Sequence, residues 1–164
     1  MRRSAKDKKK IKVIIIAILI FATFAIVGQR VLVRPPTQGS DAELTQALVT
    51  RVIDGDTLEL ETGERIRLIG VDAPESNEEG GAEATAFVTQ LVLDRTVWLE
   101  ADGNDTDVHG RLRRYVWLTE PSDAQDEAQI RQYMLNARLL IEGHAEVMII
   151  GNVRHEQLFR ELSE

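Results

Sequence analysis

Two short acidic clusters and two arginines carry most of the chemistry available to this chain. Asp54-Gly55-Asp56-Thr57 follows one β-prone run, and Asp72-Ala73-Pro74-Glu75 follows another. Carboxylates gathered in one place repel one another unless a cation lies among them. A hard cation such as Ca²⁺ takes oxygen ligands of this kind, completed by backbone carbonyls and water. Taken alone, either cluster is also ordinary turn or loop-start chemistry. Arg67 sits in Arg65-Ile66-Arg67-Leu68-Ile69-Gly70-Val71, and Arg111 ends Asp107-Val108-His109-Gly110-Arg111. Each arginine by itself is compatible with a solvated position. Aimed together at one phosphate, two guanidiniums grip its oxygens by forked hydrogen bonds and stabilise charge that develops during reaction. One condition follows. Arg67 and Asp72 are separated by an odd number of residues, so a regular strand points them to opposite faces. They share a site only if the strand bends or ends between them, which Gly70 permits.

The elements that must position these groups are short. Ala47 to Ile53, Thr57 to Leu60 and Arg65 to Val71 read as strands of a meander, with Glu61-Thr62-Gly63-Glu64 as a turn. Ala82 to Leu93 has helical spacing, and Asp126 to Glu142 reads as a second helix with Gly143 at its C-terminal cap. Thr96 to Ala101 and Arg113 to Leu118 are two more strands, separated by the polar stretch Asp102 to Arg111. A short apolar run, Val147 to Ile150, follows, and His155 to Leu162 is a last short helix. Five short strands interrupted by single helices predict a small α+β Greek-key barrel of the OB-fold type, with three helices.

Composition narrows the function classes. There is no cysteine among the 164 residues, hence no thiolate metal site, disulfide or cysteine nucleophile. His109, His144 and His155 show no metal-ligand spacing, and the stretch beginning at Asp102 lacks the carboxylates of an EF-hand loop. Trp98 and Trp117 read as core or barrel surface rather than as stacking platforms. Residues 35–164 hold 11 basic and 26 acidic residues, a formal net charge of −15. A body this acidic repels polyanions at long range, which excludes coating DNA through a broad basic face but not a local cationic site.

The N-terminus has the opposite character. Residues 1–12 form a basic cluster, read as a cytoplasmic tail, and residues 13–29 carry no charge. As a helix those uncharged residues would be about 25 Å long, at the lower edge of what spans a bilayer. Seven cations precede the span, and Arg30 and Arg34 follow it. The positive-inside rule then places the N-terminus in the cytoplasm and the remainder outside. A cleaved signal segment, giving a secreted protein, is the alternative. Residues 30–45 read as a linker and 46–164 as the folded domain.

The set Val52-Ile53-Asp54-Gly55-Asp56-Thr57, then Arg67-Leu68-Ile69-Gly70-Val71-Asp72-Ala73-Pro74-Glu75, then Asp107-Val108-His109-Gly110-Arg111 resembles the staphylococcal nuclease (thermonuclease) family in order and spacing. The likeness spans about residues 46–162 and continues through Met134-Leu135-Asn136-Ala137 and His155-Glu156-Gln157. It implies an OB-fold enzyme that cleaves DNA and RNA with Ca²⁺, leaving 3′-phosphate ends. By position, Asp56, Asp72 and the carbonyl of Ala73 would hold the metal. Glu75 would orient or deprotonate the attacking water, and Arg67 and Arg111 would bind the scissile phosphate. Asp54 and Asp107 would support these groups from behind. The expected partners are single-stranded or frayed DNA, RNA, and a lipid bilayer through residues 13–29, with the chain monomeric.

The chain also departs from the family pattern. Val108 and His109 stand where the family has a lysine and a tyrosine, and its pair of base-flanking tyrosines falls on Ile149 and Gly151. The loop Ser76 to Gly81 is acidic. Arg113 and Arg114 read as a solvated strand face, with a replacement cationic patch as the alternative. These losses predict weak substrate affinity and motivate a second reading, a non-cleaving OB module that binds nucleic acid or protein.

Overall fold

The computed structural model describes residues 44–164. The basic cluster, the uncharged span and most of the expected linker lie outside the described residues. Among the described residues, no helix is long and apolar enough to cross a membrane.

Five strands close into a barrel. β1 (Leu44–Val52) pairs antiparallel with β2 (Thr57–Leu60), and β2 with β3 (Arg65–Leu68). β3 runs parallel to β6 (Leu112–Trp117), which pairs antiparallel with β5 (Thr96–Thr106), and β5 closes on β1. This is the expected OB-type barrel. Its interior follows from the two-residue period of a strand: Leu58 and Leu60, Ile66 and Leu68, and Val97 and Leu99 are all buried. Trp117 is fully buried, while Trp98 packs only partly against the core. Two further short strands, β4 (Val71–Asp72) and β7 (Glu146–Val147), pair with each other outside the barrel.

α1 (Gly81–Val92) buries Ala84, Val88 and Val92, one per turn along a single face. Then come α2 (Glu127–Tyr133), α3 (Leu135–Ile141) and α4 (Glu156–Leu162). Asp126 caps α2 by accepting from the Gln129 amide at 3.0 Å.

Several boundaries differ from the sequence expectation. β1 begins at Leu44, inside the expected linker, because Leu44 and Thr45 pair with Glu100 and Leu99 of β5. The strand expected through Val71 ends at Leu68, and Gly70 turns the chain at φ +80° before β4 begins. The expected polar connection from Asp102 is strand as far as Thr106, with a break in register between Ala101 and Thr106. The single helix expected from Asp126 to Glu142 is two. Met134 leaves the helical region at φ −85°, ψ 120° and bridges Trp117, and Tyr133 accepts from the Leu118 amide at 2.8 Å. Pairing with the end of β6 overrides the local helical preference there. The fold therefore has four helical segments among the described residues where three were expected.

Candidate active site

The site is built where β2, the β3–β4 corner and the loop before β6 meet. Gly55 lets the first two approach. A Cβ on Gly55 would lie 2.5 Å from Cβ of Ala73 and 2.9 Å from Cβ of Ala84, so any other residue would force the Asp54–Thr57 turn away from Ala73 and α1. Inside that turn Asp54 Oδ1 accepts from the Asp56 amide at 3.0 Å, the side-chain-to-backbone closure typical of Asp in turns. Asp56 is 5% exposed. Its Oδ1 accepts from the Thr57 hydroxyl and its Oδ2 from the Ala73 amide, both at 3.0 Å. The two acidic clusters are thus joined by a direct hydrogen bond.

The corner at Gly70 meets the geometric condition set by the Arg67–Asp72 spacing. Because the strand ends at Leu68, both side chains reach one place. Arg67 Nη1 donates to the carbonyls of Leu68 at 2.9 Å and Val71 at 2.6 Å, so the guanidinium fills the inside of the corner. Its Nη2 lies 2.7 Å from Asp72 Oδ1 and 3.0 Å from Asp56 Oδ2, a single nitrogen shared by two carboxylates. Arg111 is held from behind by Asp107. Nε donates to Asp107 Oδ2 at 2.6 Å, the Arg111 amide donates to Oδ1 at 3.0 Å, and Nη1 donates to the Thr57 hydroxyl at 3.2 Å. Thr57 therefore links Asp56 to Arg111. Glu75 is exposed, and its amide is fixed by Glu78 Oε2 at 3.0 Å. Asp56, Arg67, Asp72, Glu75, Asp107 and Arg111 all line one open cleft of about 540 Å³. Asp54 and Ala73 stand behind it.

The electrostatics separate the buried Asp56 from the partly exposed Asp107. Burial pushes Asp56 up to about 6, against the pull of Arg67 and the Ala73 amide. Burial also acts to raise Asp107, but hydrogen bonds from the Arg111 side chain and from the amides of Arg111 and His109 outweigh it and hold Asp107 below the ordinary carboxylate range.

The donor set can be tested against a metal ion. Among the described residues, no group of three or more His, Cys, Asp and Glu side chains converges to hold one. Asp56 and Asp72 do converge, on the position of Arg67 Nη2, and the half-exposed Asp72 keeps an oxygen free. The two carboxylates are hard donors. They fit a cation such as Ca²⁺ that completes its shell with water and substrate oxygens. They do not fit a metal that needs nitrogen or sulfur ligands.

Residue spacing missed part of the cleft. Met148 and Ile150 form part of its apolar wall, whereas Ile149, one of the positions matched to a stacking tyrosine, packs against the core. Arg113 also lines the cleft, whereas Arg114 is 13% exposed and lies 2.6 Å from Asp105 Oδ1. The two arginines expected to share a solvated face point to opposite sides. Alternation along β6 was the available signal, since Arg113 lies two residues after Arg111.

The chain is similar in sequence to known proteins. The family model described as staphylococcal nuclease homologue matches residues 65–164, more than half of the chain. The chain is 36% identical over 107 residues to a thermonuclease of Staphylococcus intermedius, covering 60% of this chain and 56% of that protein. It is 37% identical over 73 residues to the protein ParB of Escherichia coli, covering 43% and 40% respectively. It is 34% identical over 92 residues to an uncharacterized endonuclease of Escherichia coli O157:H7, covering 54% and 55%. The chain spans about half the length of the curated relatives it matches. With the barrel, the joined acidic clusters and the match over residues 65–164, the chain belongs to the staphylococcal nuclease family.

Proposed function

We propose that this protein is a Ca²⁺-dependent nuclease that hydrolyses phosphodiester bonds of DNA or RNA and leaves 3′-phosphate ends. The observation that carries the reading is the single cleft in which two converging carboxylates, an exposed glutamate and two guanidiniums are assembled. Bound Ca²⁺ would polarise the scissile phosphate and offset its charge. Asp56, Asp72 and the Ala73 carbonyl would hold it.

The chain's own residues account for the rest. Arg67 and Arg111 bind the non-bridging phosphate oxygens and meet the charge that grows on them as phosphorus becomes five-coordinate. Asp107 locks Arg111 through Nε, which leaves Nη2 for substrate. Glu75 is the only member of the set that is solvent-exposed and held by no side-chain ion pair. It accepts the proton of the attacking water. The new bond joins the water oxygen to phosphorus, and the bond to the 5′ oxygen breaks. That oxygen leaves as the 5′-hydroxyl by taking a proton from solvent, and Glu75 afterwards returns its own proton to solvent.

The location rests on sequence alone. The basic cluster before the uncharged residues 13–29 supports an anchored protein with its nuclease domain outside the membrane, or a secreted one if that segment is removed.

The test is digestion of single-stranded DNA and RNA with Ca²⁺ or with EGTA, by the unaltered chain and by the Arg67→Ala and Glu75→Ala variants. Cleavage should require Ca²⁺ and fall at least about 100-fold in each variant, the scale expected on removing a general base or a transition-state donor. Equal cleavage in all arms would refute the mechanism. Tight binding with no cleavage under any condition would favour the non-cleaving module instead. The engagement of Arg67 by two carboxylates is the observation on that side.

A further inference from the structure

Three guanidiniums line the cleft, and they are not equivalent. Arg67 is neutralised by Asp56 and Asp72, and Arg111 by Asp107. Among the described residues, Arg113 forms no ion pair with a carboxylate; its Nη2 donates to the carbonyl of Ile150 at 3.1 Å. That bond ties the side chain to the cleft wall and leaves most of its donor fork open. Its neighbour Arg114 shows the contrast: it turns to the other face, where Asp105 neutralises it.

The barrel sets where Arg113 points. Arg113 is the direct partner of Arg67 across the parallel β3–β6 pair, so both side chains leave the same face. Arg111 lies two residues earlier in the chain and also lines the cleft. Strand geometry separates alternate residues by about 6.6 Å, the scale of one step along an extended nucleic-acid strand. The wall beside Arg113 includes Met148 and Ile150, which carry no ring for a base to stack on; among the described residues, the one ring lining the cleft is the His109 imidazole. On a body of net charge −15, an open guanidinium is the local attraction that a polyanion requires.

We infer that Arg113 binds a second substrate phosphate, the one adjoining the phosphate held by Arg67 and Arg111. The inference takes its substrate class from the nuclease reading, and its site is additional to that reading. An arginine can also read a guanine edge by paired hydrogen bonds. The spacing from Arg111 favours the phosphate, and the two contacts leave different signatures. A phosphate contact is indifferent to sequence and adds to the salt dependence, whereas a base contact shows preference at one position.

The experiment measures binding of tetranucleotides to the full-length chain in EGTA, by fluorescence anisotropy across a salt series. The proteins are the unaltered chain, Arg113→Gln and Arg113→Lys, with folding checked by thermal melting. The ligands are single-stranded DNAs of different sequence, and a set in which each linkage in turn is a neutral methylphosphonate. Arg113→Gln should weaken binding about 5-fold whatever the sequence, and lower the slope of log K against log salt by about 0.7. One methylphosphonate position that weakens binding to the unaltered chain should have no effect on Arg113→Gln, and Arg113→Lys should restore most of the affinity. Unchanged affinity and slope in Arg113→Gln would overturn the inference, as would a loss confined to guanine-containing ligands. If the unaltered chain shows the expected binding pattern but never cleaves when Ca²⁺ is added, the nuclease reading fails and the phosphate subsite stands.

Discussion

Asp56 carries two opposed demands. It is buried where its charge is poorly solvated, yet the proposed site needs it ionised beside Asp72. Burial raises it to about 6 against an ordinary value of 3.8, with Arg67 opposing the rise. A carboxyl raised on folding binds its proton more tightly in the native state. Its contribution to stability is present below about 3.8 and is lost as pH climbs through about 6. Above that range the ionised group is a standing cost. Asp56→Asn keeps the shape and removes the charge. In EGTA at pH 8, it should raise the unfolding free energy by about 1–3 kcal/mol, and the gain should vanish at pH 3.5. Calorimetric melting at the two pH values checks this. A variant that is less stable at both would show that Asp56 holds Arg67 more than burial costs it. The same variant should lose nuclease activity, so stability and function pull apart at this position.

The element that matters most to the site is the corner between β3 and β4. Two features hold it from outside. Gly70 turns at φ +80°, and a Cβ there would meet the Phe159 ring of α4 at 2.6 Å. Asn136 of α3 is fully buried and serves three backbone groups. Its Oδ1 accepts from the Val116 amide at 3.0 Å, and its Nδ2 donates to the Ile69 carbonyl at 2.9 Å and the Arg114 carbonyl at 3.3 Å. One side chain thus pins the corner that carries Arg67 and Asp72 to the strand that carries Arg113. Asn136→Leu fills similar volume but leaves an amide and a carbonyl buried without partners. It should cost about 2–4 kcal/mol, measured by urea unfolding, with the midpoint falling and the slope unchanged. A loss below about 0.5 kcal/mol would mean that the corner closes on its own backbone hydrogen bonds.

At the scale of the whole molecule, α4 is fastened to the barrel through a largely buried ionic cluster whose members do not line the cleft. Glu100 of β5, fully buried, pairs with Arg154 and accepts from Trp117 Nε1 at 2.8 Å. Asp102 accepts from the Tyr115 hydroxyl and the Arg154 amide, both at 2.8 Å. His155 packs against Tyr115 with ring centroids 4.9 Å apart, and its Nε2 is buried without a hydrogen-bond partner. Burial, with Arg154 beside it, pulls His155 down to about 4. A histidine depressed on folding is neutral in the native state and takes up its proton on unfolding. Its contribution is therefore intact above about 6.5 and is lost as pH falls from there through about 4. Glu100, raised by burial, works in the opposite sense. His155→Asn cannot titrate, so the fall in unfolding free energy between pH 6.5 and 4.5 should be shallower in that variant. Chemical denaturation across this range is the measurement, and parallel curves for the two proteins would remove His155 from the acid response.

The acidic clusters, the two arginines, the barrel strands and the family were legible in the sequence because turn residues, two-residue alternation and motif order are local properties. Even the need for a break near Gly70 followed from counting residues between Arg67 and Asp72. The tertiary structure decided what depends on distant partners. The helix after Asp126 breaks at Met134 because β6 is there to pair with it. The strand before Asp107 runs to Thr106 because β6 extends its ladder. Met148 and Ile150, rather than Ile149 and Gly151, face the cleft because the β4–β7 pairing sets their orientation. Composition could count the charges but not pair them. Which arginines are neutralised, and that Arg113 is left open in the cleft, depends on the corner, the turn and the strand register that decide which side chains face one another, even though the paired carboxylates are near in sequence.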